Sequence, residues 1–136
     1  MRIVIVEDEI FAARRLENMI HEYENSINVA AILESVKESI AWFRKNEEPD
    51  LIFLDIHLED DLSFAIFREV AITCPIVFTT ATDELATRAF KLKKIDFLLK
   101  PIIQKDLNAM IDKYSSQTKS SKPIDPDIFN DIVNNR

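Results

Sequence analysis

Five short apolar runs punctuate the chain: Ile3 to Val6, Ile27 to Leu33, Leu51 to Leu54, Ile76 to Phe78 and Ile95 to Leu99. Each has the length of a β-strand. The first, third and fourth are apolar at every position, as in strands covered on both faces, where a one-sided antiparallel strand would alternate. Between the runs the period becomes helical. Ala12, Leu16, Met19, Ile20 and Tyr23 recur at i, i+4, i+7, i+8 and i+11, and Ile103, Leu107, Met110, Ile111 and Tyr114 repeat that spacing. Val36, Ile40 and Phe43 predict a further helix, opened by Ser35 with Glu38 in a capping-box arrangement. Leu62, Ile66 and Val70 predict another, and Leu85, Ala86, Ala89 and Phe90 a shorter one.

Strict alternation of strands and helices predicts an α/β fold, a doubly wound five-stranded parallel sheet with right-handed crossovers and helices on both faces. In such sheets function gathers at the carboxyl ends of the strands. After Tyr114 the chain turns polar from Ser115 to Pro123, so residues 1–116 read as one folded domain and 117–136 as a linker or tail. The sparse Ile128, Phe129, Ile132 and Val133 in that tail make a helix there marginal without tertiary packing.

Composition removes several function classes. The 136 residues contain no glycine, whereas both common phosphate-cradling nucleotide loops need several. Turns with positive φ would then fall to Asn or Asp, and Asn25, Asn28, Asn46, Asp60 and Asp61 occupy such places. A net charge of −7 disfavours a chain that binds nucleic acid or anionic membranes by itself. The absence of a long apolar run argues against a membrane span, and the single Cys74, read as a small buried apolar residue, fits a reducing interior. The expected location is the cytoplasm.

The candidate chemistry lies at the strand ends. The first strand runs into Glu7-Asp8-Glu9, the third into Asp55, the fourth into Thr79-Thr80-Ala81 and the fifth into Lys100-Pro101. Parallel strands would bring these groups to one edge of the sheet. Carboxylates gathered there repel one another unless a cation joins them, and hard oxygen donors without His or Cys ligands suit Mg2+. Lys100 and Thr80 add a positive charge and a hydroxyl, which suits a phosphoryl group. Asp55, ending a fully apolar strand, is the candidate nucleophile, with Glu7 and Asp8 holding the metal. Any one of these acids taken alone reads as a loop start or helix cap; their coincidence on separate strands argues otherwise.

These residues resemble a known family. Val6-Glu7-Asp8-Glu9, Pro49-Asp50-Leu51-Ile52-Phe53-Leu54-Asp55-Ile56, Thr79-Thr80-Ala81, and Ala89-Phe90 through Ile95-Asp96-Phe97-Leu98-Leu99-Lys100-Pro101 are similar to a bacterial response-regulator receiver domain of the LytR/AlgR type, whose second domain is a LytTR DNA-binding module. The likeness covers about residues 1–116. It implies a flavodoxin-like (CheY-like) sheet of order 2-1-3-4-5, phosphorylated on Asp55 by a sensor histidine kinase with Mg2+. The resemblance implies that Asp8, Asp55 and the backbone carbonyl of His57 ligate the metal, with Glu7 acting through water. It also implies Thr80 as the switch hydroxyl, the Ala81 backbone and Lys100 as phosphate contacts, a cis Lys100-Pro101 peptide, and Phe97 as the switch aromatic.

Two departures from the family stand out. Asp60-Asp61 replaces the frequent Asp-Gly after the third strand, and Phe97 replaces a tyrosine, losing the phenol's hydrogen bond. The side chains of His57 and His21 read as a loop residue and a surface residue, and Trp42 and Phe43 as packing. Phosphorylation is expected to draw in Thr80, shift Phe97, and bias the surface formed by the 85–90 helix, the 95–99 strand and the 103–114 helix. That surface mixes Arg88, Lys91, Lys93, Lys94 and Lys105 with Asp83, Glu84, Asp96, Asp106 and Asp112, which suits a symmetric homodimer. DNA would be reached through a second domain outside this chain.

Three other readings share these features. An aspartate-nucleophile phosphatase would carry a second acid two residues after Asp55, where this chain has His57. A flavin module needs a phosphate-holding loop after the first strand, which is missing. A receiver that serves only as a protein-interaction domain would keep the fold without accepting phosphate. The expected activity is that of a switch with at most slow self-dephosphorylation, not of an enzyme.

Overall fold

The computed structural model describes residues 1–81, 95–116 and 123–130. Strands β1 (Arg2–Val6), β2 (Asn28–Leu33), β3 (Leu51–Asp55), β4 (Ile76–Thr80) and β5 (Asp96–Leu99) form one sheet of order β2-β1-β3-β4-β5. Every adjacent pair is parallel. The helices are α1 (Ile10–Tyr23), α2 (Val36–Lys45), the single-turn α3 (Ile66–Glu69) and α4 (Gln104–Ser115), with 3-10 turns at Ser63–Ala65 and Pro126–Phe129. The expected 85–90 helix, the Gln117 to Lys122 part of the linker, and Ile132 and Val133 lie outside the described residues. So do Asp83, Glu84, Arg88, Lys91, Lys93 and Lys94.

The continuously apolar strands are explained by two cores, one on each face of the sheet. Ile3, Ile5, Leu51, Phe53, Val77 and Leu98 pack with Ala13, Leu16 and Ile20 of α1 and Leu107 and Ile111 of α4. The alternate positions Val4, Val6, Ile52, Leu54, Ile76 and Phe78 pack with Val36, Phe64, Ile66 and Phe67 on the opposite face. Because successive side chains point to opposite faces, a strand covered on both has little place for a polar residue before its last positions. The polar residues therefore fall at the strand ends, where the site lies.

Several local expectations change. No described residue has positive φ. Helices α1 and α2 end by stepping straight into extended backbone, at Glu24 (φ −150°) and Asn46 (φ −127°), so neither needs the left-handed residue that often closes a helix. Asn46 closes α2 by donating its side-chain amide to the Trp42 carbonyl at 2.9 Å. Asn28 opens β2 rather than a turn. Ile103 precedes α4 as its N-cap and is 60% exposed, because the helix begins a residue later than the apolar spacing suggests. The helix expected from Leu62 to Val70 is one 3-10 turn followed by one α turn. Cys74 is buried, as expected.

The tail differs most from expectation. Ile124 and Ile128 pack against the core on the Phe78 face, and Phe129 is 1% exposed within it. The packed body therefore extends beyond residue 116.

Candidate functional site: an acidic pocket at the carboxyl edge of the sheet

Register brings the strand ends together. Val6 pairs with Leu54, Asp55 with Thr79, and Thr80 with Leu99, so the residues that follow each strand emerge along one edge. The Lys100 amide donates to the Thr80 carbonyl at 2.8 Å and the Glu7 amide to the Leu33 carbonyl at 2.9 Å, which extends the ladder one residue past the strands.

Carboxylate oxygens of Glu7, Asp8 and Asp55 lie within 4.8 Å of one another. Glu7 and Asp55 are nearly buried, at 4% and 7% exposure, and Asp8 is the most open of the three. The Lys100 ammonium bridges the two buried acids, donating to Glu7 Oε1 and, at 3.0 Å, to Asp55 Oδ2. Three carboxylates against one ammonium leave two negative charges unbalanced. A divalent cation matches that excess in charge and in preference for hard oxygen donors.

The electrostatics express the same crowding. The Asp8 carboxyl is pushed above its usual range by burial and by the neighbouring Glu7, and Lys100 offsets this only in part. Burial alone would lower Lys100, but its bonds to Glu7 and Asp55 outweigh that and hold the ammonium charged.

The remaining sequence-predicted residues take definite places. The His57 amide approaches Asp55 Oδ1 at 3.4 Å. His57 forms an isolated bridge with Leu62 whose bonds come from the Leu58 and Ser63 amides. Thr80 is buried and its hydroxyl donates to the Ala81 carbonyl at 2.8 Å. The Lys100-Pro101 peptide is cis. Phe97 lies on the Phe78 ring, with centroids 5.7 Å apart. Ala81 is exposed beside Thr80.

Asp60 has a structural part. Its carboxylate accepts the Val36 and Lys37 amides at 2.9 and 3.0 Å and so caps α2 from the neighbouring loop. Burial works against its ionised form, but those amide donors prevail and hold the carboxyl below its usual range. Ser35 adds the expected cap, accepting the Glu38 amide at 3.0 Å. Sequence spacing revealed the Ser35 cap and could not reveal the Asp60 one, whose partners are more than twenty residues away. Asp61 accepts the amide of Leu62 at 2.7 Å and stays in the turn.

Behind Lys100 the site adjoins a mainly apolar cavity of about 270 Å3 that Ala12, Arg15, Leu16, Pro101 and Ile102 help to line. Among the described residues, no helix is long and apolar enough to cross a membrane.

Comparison with known proteins agrees with this geometry. The family model for the response regulator receiver domain matches residues 3–112. The chain is similar to the sensory transduction protein LytR of Staphylococcus haemolyticus, 32% identical over 92% of this chain and 49% of the relative. It is also similar to the transcriptional regulatory protein LytR of Staphylococcus aureus, 32% identical over 98% of this chain and 53% of the relative. The chain thus spans about half the length of the curated relatives it matches. Among solved structures, the response regulatory domain of protein mrkE from Klebsiella pneumoniae superposes with a TM-score of 0.72 at 28% identity, covering 85% of this chain and 96% of that one. A two-component response regulator from Clostridium difficile does so with a TM-score of 0.70 at 25% identity, covering 86% and 97%.

Proposed function

This chain belongs to the response regulator receiver domain family, and we propose that it accepts a phosphoryl group on Asp55 from a sensor histidine kinase in the cytoplasm. The supporting observation is the convergence of Glu7, Asp8, Asp55 and Lys100 in one pocket that carries two uncompensated negative charges. A carboxylate oxygen of Asp55 attacks phosphorus, the bond from phosphorus to the donor nitrogen breaks, and an acyl phosphate forms on Asp55. Water later cleaves that phosphate and restores the carboxylate, so the chain is a switch rather than an enzyme with a substrate of its own. Asp8, Asp55 and the His57 carbonyl would hold Mg2+, with Glu7 acting through water. When bound, the ion supplies charge neutralisation to the phosphoryl oxygens.

Lys100 orients Asp55 in the resting state and is placed to pair with a phosphoryl oxygen once Asp55 is phosphorylated. Thr80 and the Ala81 amide would turn toward the same oxygens, and Phe97, on the strand that leads to Lys100, would respond. The output is a homodimer through the face that includes β5 and α4, and control of transcription through a DNA-binding LytTR domain outside this chain. The relatives' names, sensory transduction and transcriptional regulatory protein, support that output.

Incubation with acetyl phosphate and Mg2+ followed by Phos-tag electrophoresis tests the reading. A retarded band in the wild type that Asp55→Asn abolishes is the expected result. A band that persists in Asp55→Asn, or a wild type that never shifts, overturns it.

A further inference from the structure

From the packing of the tail, we infer that residues 124–130 are a detachable latch whose seating depends on the phosphorylation state of Asp55. The inference rests on the phosphoryl transfer proposed above. Phe129 stacks face to face on Phe64, with centroids 4.2 Å apart and planes 7° apart, lies on Phe67 at 5.4 Å, and meets the edge of Phe78 at 5.9 Å. These rings form an aromatic socket beside the single turn of α3, and the tail fills it.

Among the described residues, two hydrogen bonds tie the segment to the rest of the fold. The Ile124 amide donates to the Ile72 carbonyl at 3.0 Å, and Arg68 reaches Asn130 at 3.5 Å. Asp125 shapes the segment locally by accepting the Asp127 amide at 2.9 Å. Phe129 is therefore a buried plug whose strap is held more by packing than by hydrogen bonds. The other rings of the cluster sit on the sheet, on α3 or on the turn before it.

The socket and the acidic pocket share two strands. Phe78 precedes Thr79 and Thr80 on β4, and Phe97 pairs with Phe78 in register on β5, three residues before Lys100. A phosphoryl group on Asp55 that draws in Thr80 and Lys100 pulls on the strands that carry both rings. Interiors packed to crystal density do not absorb such a shift smoothly. Phe129, carried on the tail and not on the sheet, on α3 or on the turn before it, is the neighbour that yields. Phosphorylation thus loosens the latch.

Hydrogen exchange at the Ile124 amide reads the latch in the full 136-residue chain, with Asp55 occupancy followed on the same samples by Phos-tag. In the unphosphorylated wild type this amide is expected to be protected, and phosphorylation to speed its exchange on the order of tenfold, the scale of a modest overpacking penalty. Phe129→Ala is expected to remove the protection in both states while the Phe53 amide in β3 stays protected, which shows that the domain remains folded. Phe129→Leu is expected to retain much of the protection.

Phosphorylated Asp55 with unchanged exchange at Ile124 overturns the coupling alone. An unphosphorylated wild type that exchanges as fast as Phe129→Ala overturns the latch itself. Protection that vanishes on dilution assigns the plug to a second copy and overturns the intramolecular arrangement. A wild type that takes no phosphate overturns the receiver reading and the coupling with it.

Discussion

Polar clusters sit at both ends of the sheet, and they are built on opposite plans. At the amino edge, Glu48 accepts the amide and the hydroxyl of Thr73, both at 2.6 Å, and Asp50 accepts the Arg2 amide at 2.7 Å. Each carboxylate there meets donors dedicated to it, and the result ties the entry to β3 to neighbouring parts of the fold. At the carboxyl edge, three carboxylates share one ammonium. The first arrangement is complete within the chain. The second is left with two negative charges unbalanced, and under the proposed function a cation and a phosphoryl group would complete it, which is the physical difference between a staple and a site.

The largest expected effect that separates the two edges is on reaction rate. Lys100→Ala is predicted to slow phosphorylation by acetyl phosphate by about a hundredfold or more, the scale of losing one charged contact to a transferring group. Timed Phos-tag gels read this directly. Lys100 contributes as the ammonium below the ordinary lysine value of 10.5, and its pKa is raised in the fold, so its contribution is lost only as pH climbs through that higher value. Between pH 6 and 9 the wild-type rate should show no decline traceable to Lys100.

At the amino edge the effect falls on stability. Glu48→Ala removes two bonds to a charged acceptor and is predicted to cost about 2 kcal/mol in urea unfolding, while phosphorylation of the folded protein stays normal. A loss of phosphorylation in parallel with stability would erase the distinction between the edges.

Asp60→Ala is predicted to cost about 1 kcal/mol, the usual scale for a lost helix cap. Because its carboxyl is held below the ordinary value, this contribution is present above that value and fades as pH falls through the lowered one. The gap between variant and wild type in thermal melts should therefore narrow below about pH 4.

Smaller still, and opposite in sign, is Asp8→Asn. The raised Asp8 carboxyl favours its protonated form in the fold, so its contribution is present below the ordinary value of 3.8 and is lost as pH rises through the raised one. At neutral pH without divalent ions, Asp8→Asn should melt slightly higher than the wild type. Added Mg2+ should stabilise the wild type and reverse the order.

The fold was readable because both-faced burial leaves a plain mark, strands apolar at every position separated by amphipathic helices. The convergence at the strand ends was readable for the same reason, since Glu7, Asp55 and Lys100 stand out at the ends of apolar runs. What linear spacing lacks is pairing at a distance. Nothing local marks Asp60 as a cap for Val36, or Glu48 as the partner of Thr73. Phe129 was obscured for a further reason. Its apolar neighbours are too few to form a face, and its burial depends on rings at positions 64, 67 and 78 that are assembled only when the sheet forms. The left-handed turns expected of Asn and Asp in a glycine-free chain are absent among the described residues because α1 and α2 leave directly into extended backbone.

The most direct test of the acidic pocket is chemical trapping of its product. Borohydride reduction after treatment with acetyl phosphate converts an aspartyl phosphate to homoserine, which peptide mass spectrometry locates. The predicted result is conversion at position 55, dependent on Mg2+ and absent from Glu7 and Asp8. Conversion at another carboxylate, or at Asp55 equally without a divalent ion, would contradict a site built around a shared cation.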